Sequence, residues 1–169
     1  MKRAILILAA GALAVGFLVA RAESQAKTAT SIEKLKTLVG DWSATSPAGE
    51  PFTNKIRLVS NGTTIEETFQ APEHDQMVTM YTPDGNRVSL THYCSMGNQP
   101  RMETPVMTPD GAIFEFTFTG ATNLPDAKEP HMHHMVLRVA DSDHFSETWT
   151  MQVNGKDQAE TFQFTRKKA

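Results

Sequence analysis

Six side chains that can ligate a metal or transfer a proton fall on strand-like stretches of the sequence. They are Glu67, His92, Cys94, His131, His133 and Glu147. Alternate residues of a β-strand point to the same side, and this rule places each of the six on a face with apolar neighbours. Burying an imidazole or a carboxylate without a partner costs several kcal/mol, roughly. These groups therefore need one another, a ligand, a metal ion or water as partners.

Two of the spacings are those of metal chelates. His92-x-Cys94 and His131-x-His133 each place two soft or borderline donors on one face of a strand, a donor set that suits Zn²⁺ and Cu ions. Glu67 or Glu147 would serve as a further ligand or would hydrogen-bond to one. One hypothesis is therefore a Zn or Cu site. The other is a set of hydrogen-bonded polar groups in a core whose gaps are filled by methionine.

The same residues permit catalysis, but no catalytic motif accompanies them. Cys94 with a neighbouring imidazole resembles a thiolate–imidazole pair, and Glu67 with Glu147 could act as general acid and base. The sequence contains no Gly-x-Ser-x-Gly, His-Glu-x-x-His, P-loop or dinucleotide-binding motif. A Cys/His-dependent enzyme is thus an alternative, and a binding protein is favoured.

The first 22 residues have the three parts of a secretory signal peptide. Lys2 and Arg3 give a positive start, residues 4–20 are uncharged and mostly apolar, and Ala20-Arg21-Ala22 fits signal peptidase. Cleavage there would leave 147 residues with 13 basic and 19 acidic side chains, a net charge of −6. We therefore expect a periplasmic or secreted protein that binds neither nucleic acid nor, after cleavage, a membrane. An uncleaved anchor is the alternative, because the 17-residue apolar stretch is slightly long for a signal peptide.

Period-two alternation dominates the chain after Gly40 and predicts a single all-β domain over residues 31–169. Residues 23–30 lack apolar periodicity and are expected to be a flexible lead-in. One short helix is predicted from Ser31 to Gly40. Asn-Gly and Asp-Gly pairs, which favour hairpin turns, separate the strands. A long meander protects its edges by closing, so the expected fold is a closed or nearly closed antiparallel up-and-down barrel of about 8–10 strands.

A short helix followed by Gly40-Asp41-Trp42 resembles the calycin superfamily, the lipocalin-like barrels. In that superfamily the tryptophan closes one barrel end and a basic residue of the last strand packs across it, a position that Arg166 occupies here. The chain also resembles a family of secreted bacterial lipocalin-like proteins without an established activity, which supports the barrel and export and implies no chemistry. The strings that carry this likeness are Leu90-Thr91-His92-Tyr93-Cys94, Gly97-Asn98-Gln99-Pro100-Arg101-Met102, Thr122-Asn123-Leu124 and His131-Met132-His133-His134-Met135. The glycine-rich early motif of haem-binding nitrobindin-type barrels is missing, which argues against haem.

The leading functional hypothesis is a small, largely apolar ligand held inside the barrel. Its polar end would meet Glu67, His92, Cys94, His133 and Glu147, and its body would meet Phe114, Phe116, Phe118, Trp149 and Met151. The longest connections, residues 95–100 and 120–130, are expected to border the binding site. The alternative is a barrel that its own side chains fill completely, so that the protein acts through its outer surface.

Overall fold

The computed structural model describes residues 31–46, 49–71, 75–85, 87–104 and 112–168. The predicted signal peptide and lead-in, residues 1–30, lie outside these described residues. Within the described part of the chain, a helix covers residues 31–36 and the remaining regular structure is almost entirely β. No helix in that part has the length and apolar character that a membrane crossing requires.

The described strands form one closed antiparallel barrel. Each strand pairs with the next along the chain, and the first pairs with the last to close the sheet. This confirms the predicted fold class. The strands are β1 Gly40–Thr45, β2 Pro51–Val59, β3 Thr64–Gln70, β4 Met77–Asp84, β5 Arg87–Tyr93, β6 Gln99–Thr104, β7 Ile113–Thr122, β8 His131–Val139, β9 His144–Val153 and β10 Lys156–Arg166.

Two of the predicted hairpin turns show why closure by short connections is possible. Asn61 and Gly62 join β2 to β3, and Asn154 and Gly155 join β9 to β10. All four have positive φ angles, between 53° and 80°, which asparagine and glycine adopt at the least steric cost. The predicted turn at residues 109–112 lies largely outside the described residues.

The helix closes one end of the barrel. Its apolar face, formed by Ile32 and Leu35, is buried together with Leu38 in the turn that follows. The helix ends at residue 36 rather than at Gly40 as predicted. The reason is visible in the backbone, where Leu38 and Val39 make bonds to the third preceding residue and tighten the last turn.

Trp42 and Arg166 hold this closed end together, as the resemblance implied. Trp42 is fully buried and donates its indole N–H to the Leu38 carbonyl at 2.8 Å. The Arg166 guanidinium lies 4.0 Å from the Trp42 ring centroid. It also donates to the carbonyls of Val39 and Thr37, at 2.8 and 2.9 Å. The carbonyls that the helix end leaves without partners are thus satisfied by two side chains of the barrel.

Gly40 is required by the same arrangement. Its φ of +146° is unfavourable for residues with a side chain. A Cβ at this position would lie 2.5 Å from a terminal nitrogen of Arg166. The Gly-x-Trp pattern therefore reflects close packing of the backbone against the guanidinium that covers Trp42.

Candidate ligand-binding cavity

A cavity of about 770 Å³ occupies the barrel end opposite the helix. Exposed residues at its border, Met96, Gln158 and Glu160, show that it opens to water. The hypothesis of a completely filled barrel is therefore wrong. The lining consists of Phe52, Glu67, Phe69, Ala71, Met77, Thr79, His92, Cys94, Ser95, Met96, Met132, Glu147, Trp149, Met151, Gln158, Ala159, Glu160, Thr161 and Phe162.

Six of the predicted ligand-binding residues line this cavity: Glu67, His92, Cys94, Glu147, Trp149 and Met151. Each was placed on the inner face by strand alternation, and the first five are buried in the structure. The cross-strand pairing explains how they meet. Thr79 of β4 pairs with Glu67 on one side and with His92 on the other, so three adjacent strands deliver polar side chains to one level of the barrel.

Glu67 sits at the floor of the cavity with two hydrogen-bond donors. Tyr81 donates its hydroxyl to Oε2 at 2.6 Å, and the Asn54 amide donates to Oε1. Burial raises the pKa of Glu67, and these two donors partly oppose that rise because they stabilise the carboxylate. Burial also raises the pKa of Tyr81 well above its usual value, and the negative charge of Glu67 adds to this effect. Tyr81 is therefore a permanent donor at neutral pH.

Glu147 is the second carboxyl group of the floor. Its Oε2 accepts the indole N–H of Trp149 at 2.9 Å, and its Oε1 accepts no hydrogen bond among the described residues. Burial raises the pKa of Glu147 well above its usual value, and the neighbouring Glu67 raises it further. Because Glu67 has the better set of donors, it ionises before Glu147 as the pH rises, and a proton that the pair shares stays on Glu147.

His92 completes the polar floor as a neutral imidazole. Burial lowers its pKa from 6.5 to about 4, so the ring is uncharged at neutral pH. Its Nδ1 shares a hydrogen bond of 3.0 Å with the Thr79 hydroxyl, and the ring packs against Trp149 with centroids 4.7 Å apart. Its buried Nε2 has no partner among the described residues.

His131 and His133, predicted to face inward, do not line the cavity. The cause is a shift in the pairing of β8 with β9. Met135 pairs with Trp149 and His134 with Thr150, but the next pair joins Met132 to Met151, so His133 is an extra residue. Beyond this bulge Met132 takes the cavity-lining position that alternation had assigned to its neighbours.

The two histidines have other partners instead. His131 is buried, with its ring 5.0 Å from that of Phe118, and its Nδ1 donates to the Glu129 carbonyl at 2.7 Å. His133 Nε2 lies 3.4 Å from a carboxylate oxygen of Asp157. Over the described residues, no three His, Cys, Asp or Glu side chains form a group that could hold a metal ion. The predicted convergence of the two chelate pairs is therefore wrong.

The predicted thiolate–imidazole pair is not formed either. Cys94 is buried at the cavity wall as a free thiol. The imidazole of His92 is bonded through Nδ1 to Thr79, and its Nε2 has no partner in the part of the chain that the structure describes. Without a hydrogen bond between sulfur and imidazole, the geometry lacks the contact by which a base activates a thiol.

Phe114 and Phe116 are fully buried inside the barrel, yet they lie below the cavity and do not line it. Phe118 does not line it either, whereas Met151 does. Of the two long connections, only the first borders the cavity, through Ser95 and Met96; no residue of the 120–130 segment does.

Comparisons with known proteins show a shared fold. No family model matches the chain, and no curated protein matches it. The crystal structure of Rv2717c from M. tuberculosis is similar, with a TM-score of 0.59 and 17% identity over 82% of this chain and 98% of that one. The crystal structure of a protein of unknown function from the DUF3598 family, from Nostoc punctiforme PCC 73102, is also similar to this chain, with a TM-score of 0.52 and 14% identity. That match covers 78% of this chain and 48% of the other.

Several cavity residues were not found from the sequence. Asn54 of β2 and Tyr81 of β4 are the donors to Glu67. Phe52 of β2 and Met77 of β4 belong to the cavity lining. The signal was present, because Phe52 and Asn54 alternate on β2, and Met77, Thr79 and Tyr81 alternate on β4. Extending the alternation rule to these two strands would have located them.

Proposed function

We propose that this protein binds a small, largely apolar molecule in the open end of the barrel. The observation that carries the proposal is the cavity of about 770 Å³, a size typical of ligand pockets, which span roughly 300–1,000 Å³. Phenylalanine, tryptophan, alanine and methionine make up about half of the lining residues, and a few polar groups converge at the floor. This combination binds an apolar body and orients one polar group.

The aromatic part of the wall keeps its shape without a ligand. Phe52 and Phe69 pack with ring centroids 4.8 Å apart, and each lies 5.3 Å from the ring of Phe162. Because these rings support one another, little conformational freedom is lost when a ligand binds. A preformed wall of this kind favours binding over a cavity that must open first.

Two further features support a calycin-like binding protein outside the cytosol. The Trp42–Arg166 contact at the closed end is the one that the resemblance implied. The N-terminal 22 residues have the composition of a signal peptide. In this proposal the protein acts as a periplasmic or secreted carrier or store of its ligand, and no bond is made or broken.

A dye displacement experiment tests the binding proposal. The neutral probe N-phenylnaphthylamine should fluoresce in the presence of the protein and quench Trp149, since that indole lies in the cavity wall. Met151→Glu should weaken probe binding at least tenfold, because it places a carboxylate in the apolar lining. The measurement is a fluorescence titration at neutral pH.

Met80→Glu is the matched control for this titration. Met80 is half-buried and pairs with Thr91 and Glu66 on the outer face of the barrel, away from the cavity lining. The control should bind the probe as tightly as the parent protein does. Equal weakening in both variants, or a parent protein that leaves the probe dark, would contradict the proposed binding site.

Export makes a separate prediction. When the full chain is produced in a Gram-negative host, the mature protein should appear in the periplasmic fraction and begin at Glu23. Intact mass spectrometry measures the loss of 22 residues directly. Ala22→Trp, which puts a bulky residue at the cleavage site, should leave the precursor uncleaved. A full-length chain retained in the membrane fraction would instead indicate an N-terminal anchor.

A further inference from the structure

The floor of the cavity presents a buried acceptor without a partner beside a pair of carboxyl groups. His92 Nε2 has no hydrogen-bond partner among the described residues, although His92 is only 4% exposed. The carboxyl group of Glu147 hydrogen-bonds with that of Glu67. His92 and Glu147 both line the cavity. They also belong to one cluster, because Trp149 packs on the His92 ring and donates to the other oxygen of Glu147. Buried polar atoms in native proteins nearly always have partners, so a ligand group is expected here.

The charge of the lining decides what kind of group fits. Glu67, Glu147 and Glu160 line the cavity, and none of the described residues that line it is a lysine or an arginine. A bound carboxylate or phosphate would therefore meet negative charge without a compensating cation. A cation is favoured instead, both by these carboxyl groups and by the ring faces of the aromatic wall.

We propose that the ligand is an amphiphilic amine whose protonated nitrogen binds at the cavity floor, beside the Glu67–Glu147 pair and His92, with its apolar body against the aromatic wall. This rests on the proposed function and names the ligand class for the same cavity. An ammonium group has only donors, which matches a carboxylate and the unpartnered imidazole nitrogen of His92. His92 accepts through Nε2 when its Nδ1 proton is donated to Thr79. The positive charge neutralises the negative charge that Glu67 and Glu147 hold between them, and the buried contact strengthens the attraction.

Three ligands of equal chain length test the inference. Octylamine, octanol and octanoate are titrated against the parent protein loaded with N-phenylnaphthylamine at neutral pH. Octylamine should displace the probe at a concentration at least tenfold lower than octanol, and octanoate should be the weakest of the three. This series needs no variant, so it cannot be confused with a folding defect.

Replacing both carboxyl groups, Glu67→Gln together with Glu147→Gln, tests whether their charge selects the amine. The double variant should bring octylamine to within about twofold of octanol, because the floor can no longer carry a negative charge. Glu115→Gln makes the same chemical change on the exposed outer face of β7. It should keep the full preference for the amine.

The outcomes separate the two proposals. If the probe binds and octylamine is no better than octanol, the amine inference is wrong while the apolar binding function stands. If octylamine keeps its advantage in the double variant, the assignment of the nitrogen to this floor is wrong. If neither probe nor any of the three ligands binds, the proposed function itself fails and the amine inference fails with it.

Discussion

Trp42→Ala is expected to lower the free energy of unfolding by about 3–5 kcal/mol, the range for removing a buried aromatic side chain. Trp42 is fully buried and packs edge-to-face on Phe145, with centroids 4.6 Å apart. The substitution also removes the ring beneath the Arg166 guanidinium and the donor to the Leu38 carbonyl. Several contacts that attach the helix to the barrel end are therefore lost together.

Urea unfolding measures this loss, and the protein supplies its own reporter. The sequence contains two tryptophans, so Trp149 alone reports on the transition in the variant. Leu58→Ala is the control, since Leu58 is 43% exposed and its removal should cost no more than about 0.5 kcal/mol. A loss below about 1.5 kcal/mol for Trp42→Ala, or a loss equal to that of the control, would show that the closed end does not depend on this contact.

Glu147→Gln is expected to stabilise the protein, and to do so increasingly as the pH rises. In the folded protein the pKa of Glu147 is well above the usual 4.5, so between these two values the folded state holds a proton that the unfolded state has lost. Stability therefore falls as the pH rises through this window. Glutamine keeps a donor for Glu67 without this dependence. The variant recovers about 1.4 kcal/mol for each unit by which folding raises the pKa of Glu147, once the pH has passed that range.

Thermal and urea unfolding of both proteins between pH 5 and pH 8 test this expectation. The gain should be near zero at pH 5 and largest at pH 8. The lowered pKa of His92, about 4 against 6.5, works in the opposite direction, because stability rises with pH between these values. Both proteins contain His92, so its contribution cancels in the difference between them. Glu115→Gln, on the exposed surface, should show no trend with pH.

A gain that shrinks from pH 5 to pH 8 would mean that Glu147 is ionised and well paired in the folded state. It would also remove the reason for assigning the proton of the Glu67–Glu147 pair to Glu147. A destabilisation at all pH values would point instead to a hydrogen bond that glutamine cannot reproduce.

Local patterns were enough to determine the barrel and half of the predicted site. Strand positions, hairpin turns and the inner face of each strand depend on residues a few positions apart. This is why Glu67, His92, Cys94, Glu147 and Trp149 were placed inside correctly. Trp42 and Arg166 lie on the first and last strands, which are far apart in the sequence and pair only when the barrel closes. Their contact was predicted only because a resemblance supplied the pairing.

Tertiary structure decided the register in which the strands pair and the volume that their side chains leave empty, and these two properties define the cavity. A single extra residue at His133 removes both chelate histidines from the lining and puts Met132 there. Whether the barrel is hollow depends on how the side chains of all strands fill one shared volume, so Phe114 and Phe116 became core below the cavity. The sequence by itself determined which residues face inward. Only the folded chain determined which of them meet, because bulges and packing depend on strands far apart in the sequence.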